Sequence, residues 1–474
     1  MGMGRTSLSI ILSVSLAACG GGGGTPGGPI GGGGPTPTPT TAACSLSARQ
    51  DFAKSVIDEW FLYPNKVDNS VNKANYSTVQ GYIDALLRPF FTDIKNAQFT
   101  YVTSIKEENA FFNSGSSAGF GFRLGYDTAQ NRVFVLETFE GTSALAAGVD
   151  RGAEIVAIGT NSGNLVSVSS LMAAGGSEAV VDALGPSTAG TTRVLRVNRN
   201  GVISDITLAK TEYSLDPVSN RYGAKIIDDG GKKVGYLNLR TFIDSADPDL
   251  RAAFASFKAQ GVTEVIVDLR YNGGGLVSIS ELFGDLLAAN KVGQVFSYTT
   301  FRASKANNNS TKTFASQPQA IAATKIAFIG SSGTASASEL LANAFIPYLG
   351  NNVALIGSNT YGKPVGQIAL DKPECDDRIR VVAFRTENAN HQGDYFNGLA
   401  SVFPQTCAAP DDITHQLGDP NESQIKAALD FLAGRMCTPI TAAAGQRALS
   451  EAPKRELIRP ENPTAAQHET PGLF

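Results

Sequence analysis

The stretch GTASASELLANAF, residues 333–345, sets one Thr and two Ser among small residues and then enters an apolar helical pattern. KIAFIG, a strand-like run at 325–330, stands just before it. A strand that turns into a helix at a serine is a good place for a nucleophile. The first N–H groups of a helix have no internal acceptors, so they face outward with the positive end of the helix dipole. Donors so placed can stabilise an oxyanion, and small neighbours let a peptide backbone approach. Ser336 is the candidate nucleophile; Ser331, Ser332 and Thr334 read as helix-capping residues, and Ser338 as a packing residue.

Such a serine needs a general base within reach. The chain has three histidines, His391, His415 and His468, and none follows a strand of this part of the sequence. No Gly-x-Ser-x-Gly elbow surrounds Ser336, and no lysine lies one turn after it. The remaining base is Lys363 in TYGKPVGQ, 27 residues after Ser336 and beyond the strand-like VALIG at 353–357. A buried lysine can act this way, because desolvation lowers its pKa toward neutrality.

Working upstream, KVGYLNLRTF (233–242) and EVIVDLR (264–270) read as strands. Between them DPDLRAAFASFKAQG puts Leu250, Phe254 and Phe257 on one helical face and Gly261 past its end. YNGGG follows the second strand and leads into another helix. This alternation predicts an α/β layer with its sites at the C-terminal ends of strands.

Residues 115–210 have a different texture of short strands and glycine turns. GFGFRLGY opens the region, RVFVLETF alternates as a strand, a helix is expected near 177–184, and Asn200-Gly201 suits a tight hairpin turn. With AGVDRGAEIVAIG following GFGF, the region resembles a PDZ domain, although Ala153-Glu154 stands where Gly-Asp is usual. The resemblance implies that Gly119, Phe120, Gly121 and Phe122 form a carboxylate-binding loop, with the N–H groups of the last three capturing a peptide C-terminus.

GTASASE, YGK with Gln367 four residues beyond the lysine, and DLRYNGGG together resemble the carboxyl-terminal processing (tail-specific) serine proteases. So does the order of a helical region, a PDZ domain and a crotonase/ClpP-like catalytic core, over about residues 45–437. The resemblance implies Ser336 as nucleophile, Lys363 as general base and Gln367 as its orienting residue, with the N–H groups of Gly275 and Ala337 forming the oxyanion hole. Pro364 departs from the glycine common after the lysine; proline is tolerated at a first helical position. No cofactor or metal is implied. A catalytically silent PDZ scaffold of the cell envelope is the alternative, against which the intact Ser336, Lys363 and Gln367 weigh.

The ends of the chain speak to location. Residues 1–19 combine Arg5, a short apolar run and LAAC, which resembles a bacterial lipoprotein signal with Cys19 as the lipidated residue. Gly20 after it implies outer-membrane retention, facing the periplasm or the cell surface. Residues 20–43 are a Gly/Pro/Thr spacer, and the polar, Pro-containing run 438–474 reads as a disordered tail. Between them the expected divisions are a helical region at 44–112, with Phe52, Val56 and Trp60 at helical spacing, the PDZ domain at 113–212, and the catalytic domain at 213–437. Cys44, Cys375, Cys407 and Cys437 make an even set for an oxidising compartment. Of the three pairings they allow, Cys375–Cys407 and Cys44–Cys437 are expected, the second stapling the two ends of the body. With 17% charged residues and a net charge of −4, the chain has no basic footprint for nucleic acid. The expected partners are protein substrates held by their C-termini and a membrane reached through the lipid; whether an adaptor lipoprotein delivers substrate is left open.

Overall fold

The computed structural model describes residues 42–93, 98–440 and 455–474. Cys19, the leader, most of the spacer and the first part of the expected tail lie outside the described residues.

The fold is α/β. Its central sheet has six strands in the order Ala224–Asp229, Lys232–Asn238, Glu264–Asp268, Lys325–Gly330, Val353–Gly357 and Gln405–Ala408. All neighbours but the first pair run parallel. Parallel strands need both faces covered, which explains their near-continuous apolar runs. One face packs on the helices Ala246–Ala259, Val277–Leu287 and Ala337–Leu349 through Leu250, Phe254, Phe283 and Leu341. The other packs on Ser423–Leu432 through Ile425 and Leu429.

Beside this layer stands an antiparallel sheet built from Asp377–Glu387 with Val365–Lys372, Val295–Phe301 and Ser310–Thr313. Its other edge is Tyr101–Ser104, a strand inside the stretch expected to be helical throughout. The helices Leu46–Trp60 and Val79–Leu86 lie on this sheet, with Ile57, Phe61 and Ile83 buried against Ile379 and Val381. Pro364 opens no helix: the strand Val365–Lys372 starts directly after it.

The third body is a β-rich module whose seven-stranded sheet carries the helix Val168–Leu184, broken at Gly175-Gly176. Its hairpin Thr192–Arg199/Val202–Ala209 turns at Asn200 and Gly201, both at positive φ (52° and 88°), as a primed turn requires. The sheet's order begins with Arg455–Leu457 on Phe122–Asp127. That strand corrects the expectation of a disordered tail: residues 455–474 form a strand, a short helix (Ala465–Glu469) and a buried final segment.

The disulfides also differ from expectation. Cys44 pairs with Cys375 and Cys407 with Cys437. The tight turn at 373–376 brings Cys375 to the start of the first helix, whereas Cys407 leaves the central sheet beside the chain that follows Ser423–Leu432.

Candidate active site

Ser336 sits where the strand Lys325–Gly330 has ended and the helix Ala337–Leu349 begins. Its backbone is in a rare conformation for a residue with a side chain, φ 56° and ψ −115°, a cost that surrounding contacts must offset. Its N–H donates to Glu339 Oε2 at 3.0 Å. Ala337 occupies the first helical position, where the N–H has no intrahelical acceptor.

Glu339 is the centre of the arrangement, and the sequence reading passed over it. It is fully buried, and its carboxylate accepts from Thr360 Oγ1 (2.6 Å) and from the N–H groups of Gly362 and Lys363 (both 2.8 Å) as well as from Ser336. Burial pushes the carboxyl's pKa up, and these four donors oppose the shift. One side chain thus fixes the backbone at Ser336 and at Lys363, although 27 residues separate them. Ser-x-x-Glu at the head of a helix is the capping-box signature, and this spacing could have singled out Glu339.

Lys363 Nζ donates to Gln367 Oε1 at 2.8 Å rather than to Ser336 Oγ. Gln367 Nε2 in turn donates to the Phe99 carbonyl, and the ammonium lies 5.5 Å from the centre of the Phe99 ring. Desolvation is the largest influence on the lysine and lowers its pKa. Glu469 and Glu339 raise it, and Arg380 and Arg459 lower it further.

The loop YNGGG meets Ser336 from the neighbouring strand. Gly274 lies against it, since a Cβ at Gly274 would come within 2.8 Å of Ser336 Cβ. Gly273 N–H donates to the Glu469 carbonyl (3.0 Å) and Gly274 N–H to Asn272 Oδ1 (2.9 Å). The Gly275 N–H is the loop's donor without an acceptor among the described residues. Gly275 has φ 128°, and a side chain there would strike the Phe242 carbonyl at 2.2 Å. Ser338 Oγ donates to the Asn272 carbonyl and Thr334 Oγ1 to that of Leu269, so both hydroxyls tie the helix start to the loop. Asp268 and Arg270 form a buried ion network with Glu422 that sets the base of the loop.

His468 is the surprise. It stacks on Tyr101 with ring centres 3.6 Å apart and lines, with Glu469, Tyr361, Gly273 and Phe99, a cavity of about 60 Å³ around Lys363. Burial, with the cations of Lys363 and Arg459 nearby, lowers its pKa to about 3. An imidazole so held stays neutral and is a poor proton acceptor. Its approach was hidden because the segment carrying it looked disordered.

The loop 119–122 is occupied by the chain itself. Gly121 and Phe122 N–H donate to the Phe474 backbone oxygen (2.9 and 3.2 Å), and Phe474 N–H donates to the Phe122 carbonyl (2.9 Å). Phe120 donates no hydrogen bond to Phe474; its carbonyl accepts from Ala144 instead. The Phe474 side chain is 2% exposed, within the module's apolar core. Gly119 packs directly on Phe474, leaving no room for a Cβ. Among the described residues, no group of His, Cys, Asp or Glu could hold a metal ion, and no helix is long and apolar enough to cross a membrane.

Residues 233–398 match Peptidase family S41. The chain is 24% identical over 325 residues to a carboxyl-terminal-processing protease of Picosynechococcus sp., covering 67% of this chain and 71% of the relative. It is 28% identical over 339 residues to the chloroplastic carboxyl-terminal-processing peptidase 3 of Arabidopsis thaliana, covering 69% and 61%. A solved structure from Bacteroides fragilis, assigned to the S41 proteases, superposes with a TM-score of 0.61 at 22% identity, covering 81% of this chain and 97% of that one.

Proposed function

We propose that this chain, a serine peptidase with a family S41 domain, is a lipid-anchored endopeptidase of the cell envelope that grips protein substrates by their C-terminal residues. Ser336 is the nucleophile. Neutral Lys363 takes the Oγ proton as Oγ bonds to the peptide carbonyl carbon, and then passes it to the leaving amine as the C–N bond breaks. Water hydrolyses the resulting acyl-enzyme by the same proton route. Gln367 orients the lysine, Gly275 and Ala337 N–H groups receive the oxyanion, and Glu339 positions Ser336 and Lys363 together. The observation that carries this reading is the single buried Glu339 carboxylate bonded to the backbone of both Ser336 and Lys363, with Lys363 desolvated and bonded to Gln367.

The β-rich module is the PDZ-type clamp in this reading, a substrate's last residues replacing 472–474 at the edge 122–124 as an added strand. Cys19 supplies the lipid that places the enzyme at the outer membrane facing the periplasm, and the 20–43 spacer sets its reach. Mass spectrometry of the protein after treatment with a fluorophosphonate tests the site. Modification of Ser336 in wild type, and its loss in Ser336→Ala and Lys363→Ala, is the expected result. Modification elsewhere, or at equal rate without Lys363, would refute the dyad.

A further inference from the structure

The strand Phe122–Asp127 pairs on one side with Arg132–Thr138, and residues 455–474 take its other edge twice, both times antiparallel. Arg455, Glu456 and Leu457 face Asp127, Tyr126 and Gly125, and the Ile458 N–H donates to the Leu124 carbonyl. The chain then leaves the edge and returns to it. Leu124 N–H donates to the Gly472 carbonyl (2.8 Å), Leu473 bridges Arg123, and Phe474 ends on Gly121 and Phe122. Between these pairings the segment crosses the catalytic cleft. His468 and Glu469 close the cavity around Lys363, and the Glu469 carbonyl takes the Gly273 N–H beside Ser336. Arg123 Nη1, fully buried, donates to the carbonyls of both Pro471 (2.7 Å) and Tyr271 (2.9 Å), so the same guanidinium grips the segment and the first residue of the YNGGG loop.

We infer that residues 459–474 are an intramolecular pseudosubstrate: Leu473 and Phe474 fill the peptide groove while His468 and Glu469 cover the cleft, and the peptidase opens when a protein with an apolar C-terminal residue displaces Phe474. The inference rests on the peptidase reading given above. One edge pairs with one strand, so a substrate and this segment exclude each other. A tethered competitor acts at an effective concentration on the order of millimolar, so weak docking is enough to hold the resting state. The anchoring suits release. Main-chain bonds supply much of it, and the large apolar anchors are Ile458, Leu473 and Phe474.

The test uses the full chain as wild type, Phe474→Asp and a deletion of Phe474 alone, with two readouts. Hydrogen exchange follows the amides of 122–124 and 465–474, and the rate of Ser336 modification by a small fluorophosphonate reports access to the cleft. Wild type is expected to protect both segments and to react slowly. Phe474→Asp should lose that protection and react about tenfold faster or more, and a synthetic peptide of residues 464–474 at about 1 mM should slow it again. Unprotected segments in wild type, or a freed segment with an unchanged rate of modification, would overturn the inference and leave the peptidase reading standing. A freed segment with no modification of Ser336 in any protein would sink the nucleophile assignment and the inference with it. Should Phe474→Asp also lose protection in the core strand Glu264–Asp268, the single-residue deletion decides by the same criteria.

Discussion

The catalytic cleft and the groove that holds residues 472–474 are built by opposite means. In the cleft, side chains do the selecting: Glu339 gathers four donors, Gln367 receives the lysine, and each contact needs a particular functional group. In the groove, the backbone does it: Gly121, Phe122 and Leu124 offer N–H groups that any peptide could accept, and one apolar pocket supplies the preference. The first kind of site tolerates almost no substitution and announces itself as a motif. The second is written mostly in conformation, and its sequence trace is a pair of glycines.

Mutations should separate the two. Ser336→Ala is expected to reduce peptide cleavage by about 10⁴-fold or more with an unchanged melting temperature, measured on an unfolded protein with an apolar C-terminus. Glu339→Gln comes next. It replaces one of the two accepting oxygens by an NH2 group that faces two donors, and kcat/KM should fall by about 10- to 100-fold through misplacement of Ser336 and Lys363. The pH profile distinguishes that role from a purely structural one. The base acts neutral, so the rate rises with pH through the lowered pKa of Lys363. Glu339 raises that pKa alongside Glu469, against Arg380 and Arg459, so its neutralisation should move the rising limb to lower pH. A limb that stays put would show that Glu339 does not act on Lys363.

Gly121→Ala should touch the groove and spare the cleft. Gly121 has φ 85°, and a Cβ there would lie 2.2 Å from Thr142 Cβ, so the loop must shift. The expected outcome is a KM raised about tenfold for protein substrates, with faster fluorophosphonate modification as residues 472–474 come free. The smallest effect on activity is expected from Cys44→Ser. Cutting the link to Cys375, 331 residues away, should lower unfolding stability by about 2–5 kcal/mol and leave kcat unchanged in a chemical-denaturation and kinetics comparison.

The central sheet was legible because parallel strands buried on both faces must be apolar throughout, and Leu250, Phe254 and Phe257 marked the covering helix by their spacing alone. Ser336, Lys363 and Gln367 stood out as residue types in a pattern, and the fold brings them together: Lys363 bonds to Gln367, and Glu339 bonds to the backbone of both Ser336 and Lys363. Three things were not. Glu339 looked like an ordinary helix-start glutamate, since what distinguishes it is contact with Gly362 and Lys363 across the next strand. The segment 455–474 looked disordered because order gained by pairing main-chain groups with an existing edge leaves little hydrophobic pattern; Leu473 and Phe474 alone carry the apolar signal at its end. The cysteine pairing depended on a turn at 373–376 that follows one antiparallel strand and precedes another, a juxtaposition set by the sheet rather than by sequence distance.

The bond between Cys44 and Cys375 has a mechanical consequence. Cys44 is the first covalent point at which the upstream chain meets the folded body, and Arg49 backs it with a salt bridge to Asp377 on the same strand end. Tension arriving from a tether would therefore be delivered across the end of an antiparallel sheet. The helix Leu46–Trp60, which would otherwise unwind from its free end, is bypassed. Under the lipid anchoring proposed above, the body could be tugged by whatever it digests without its own fold starting to unravel.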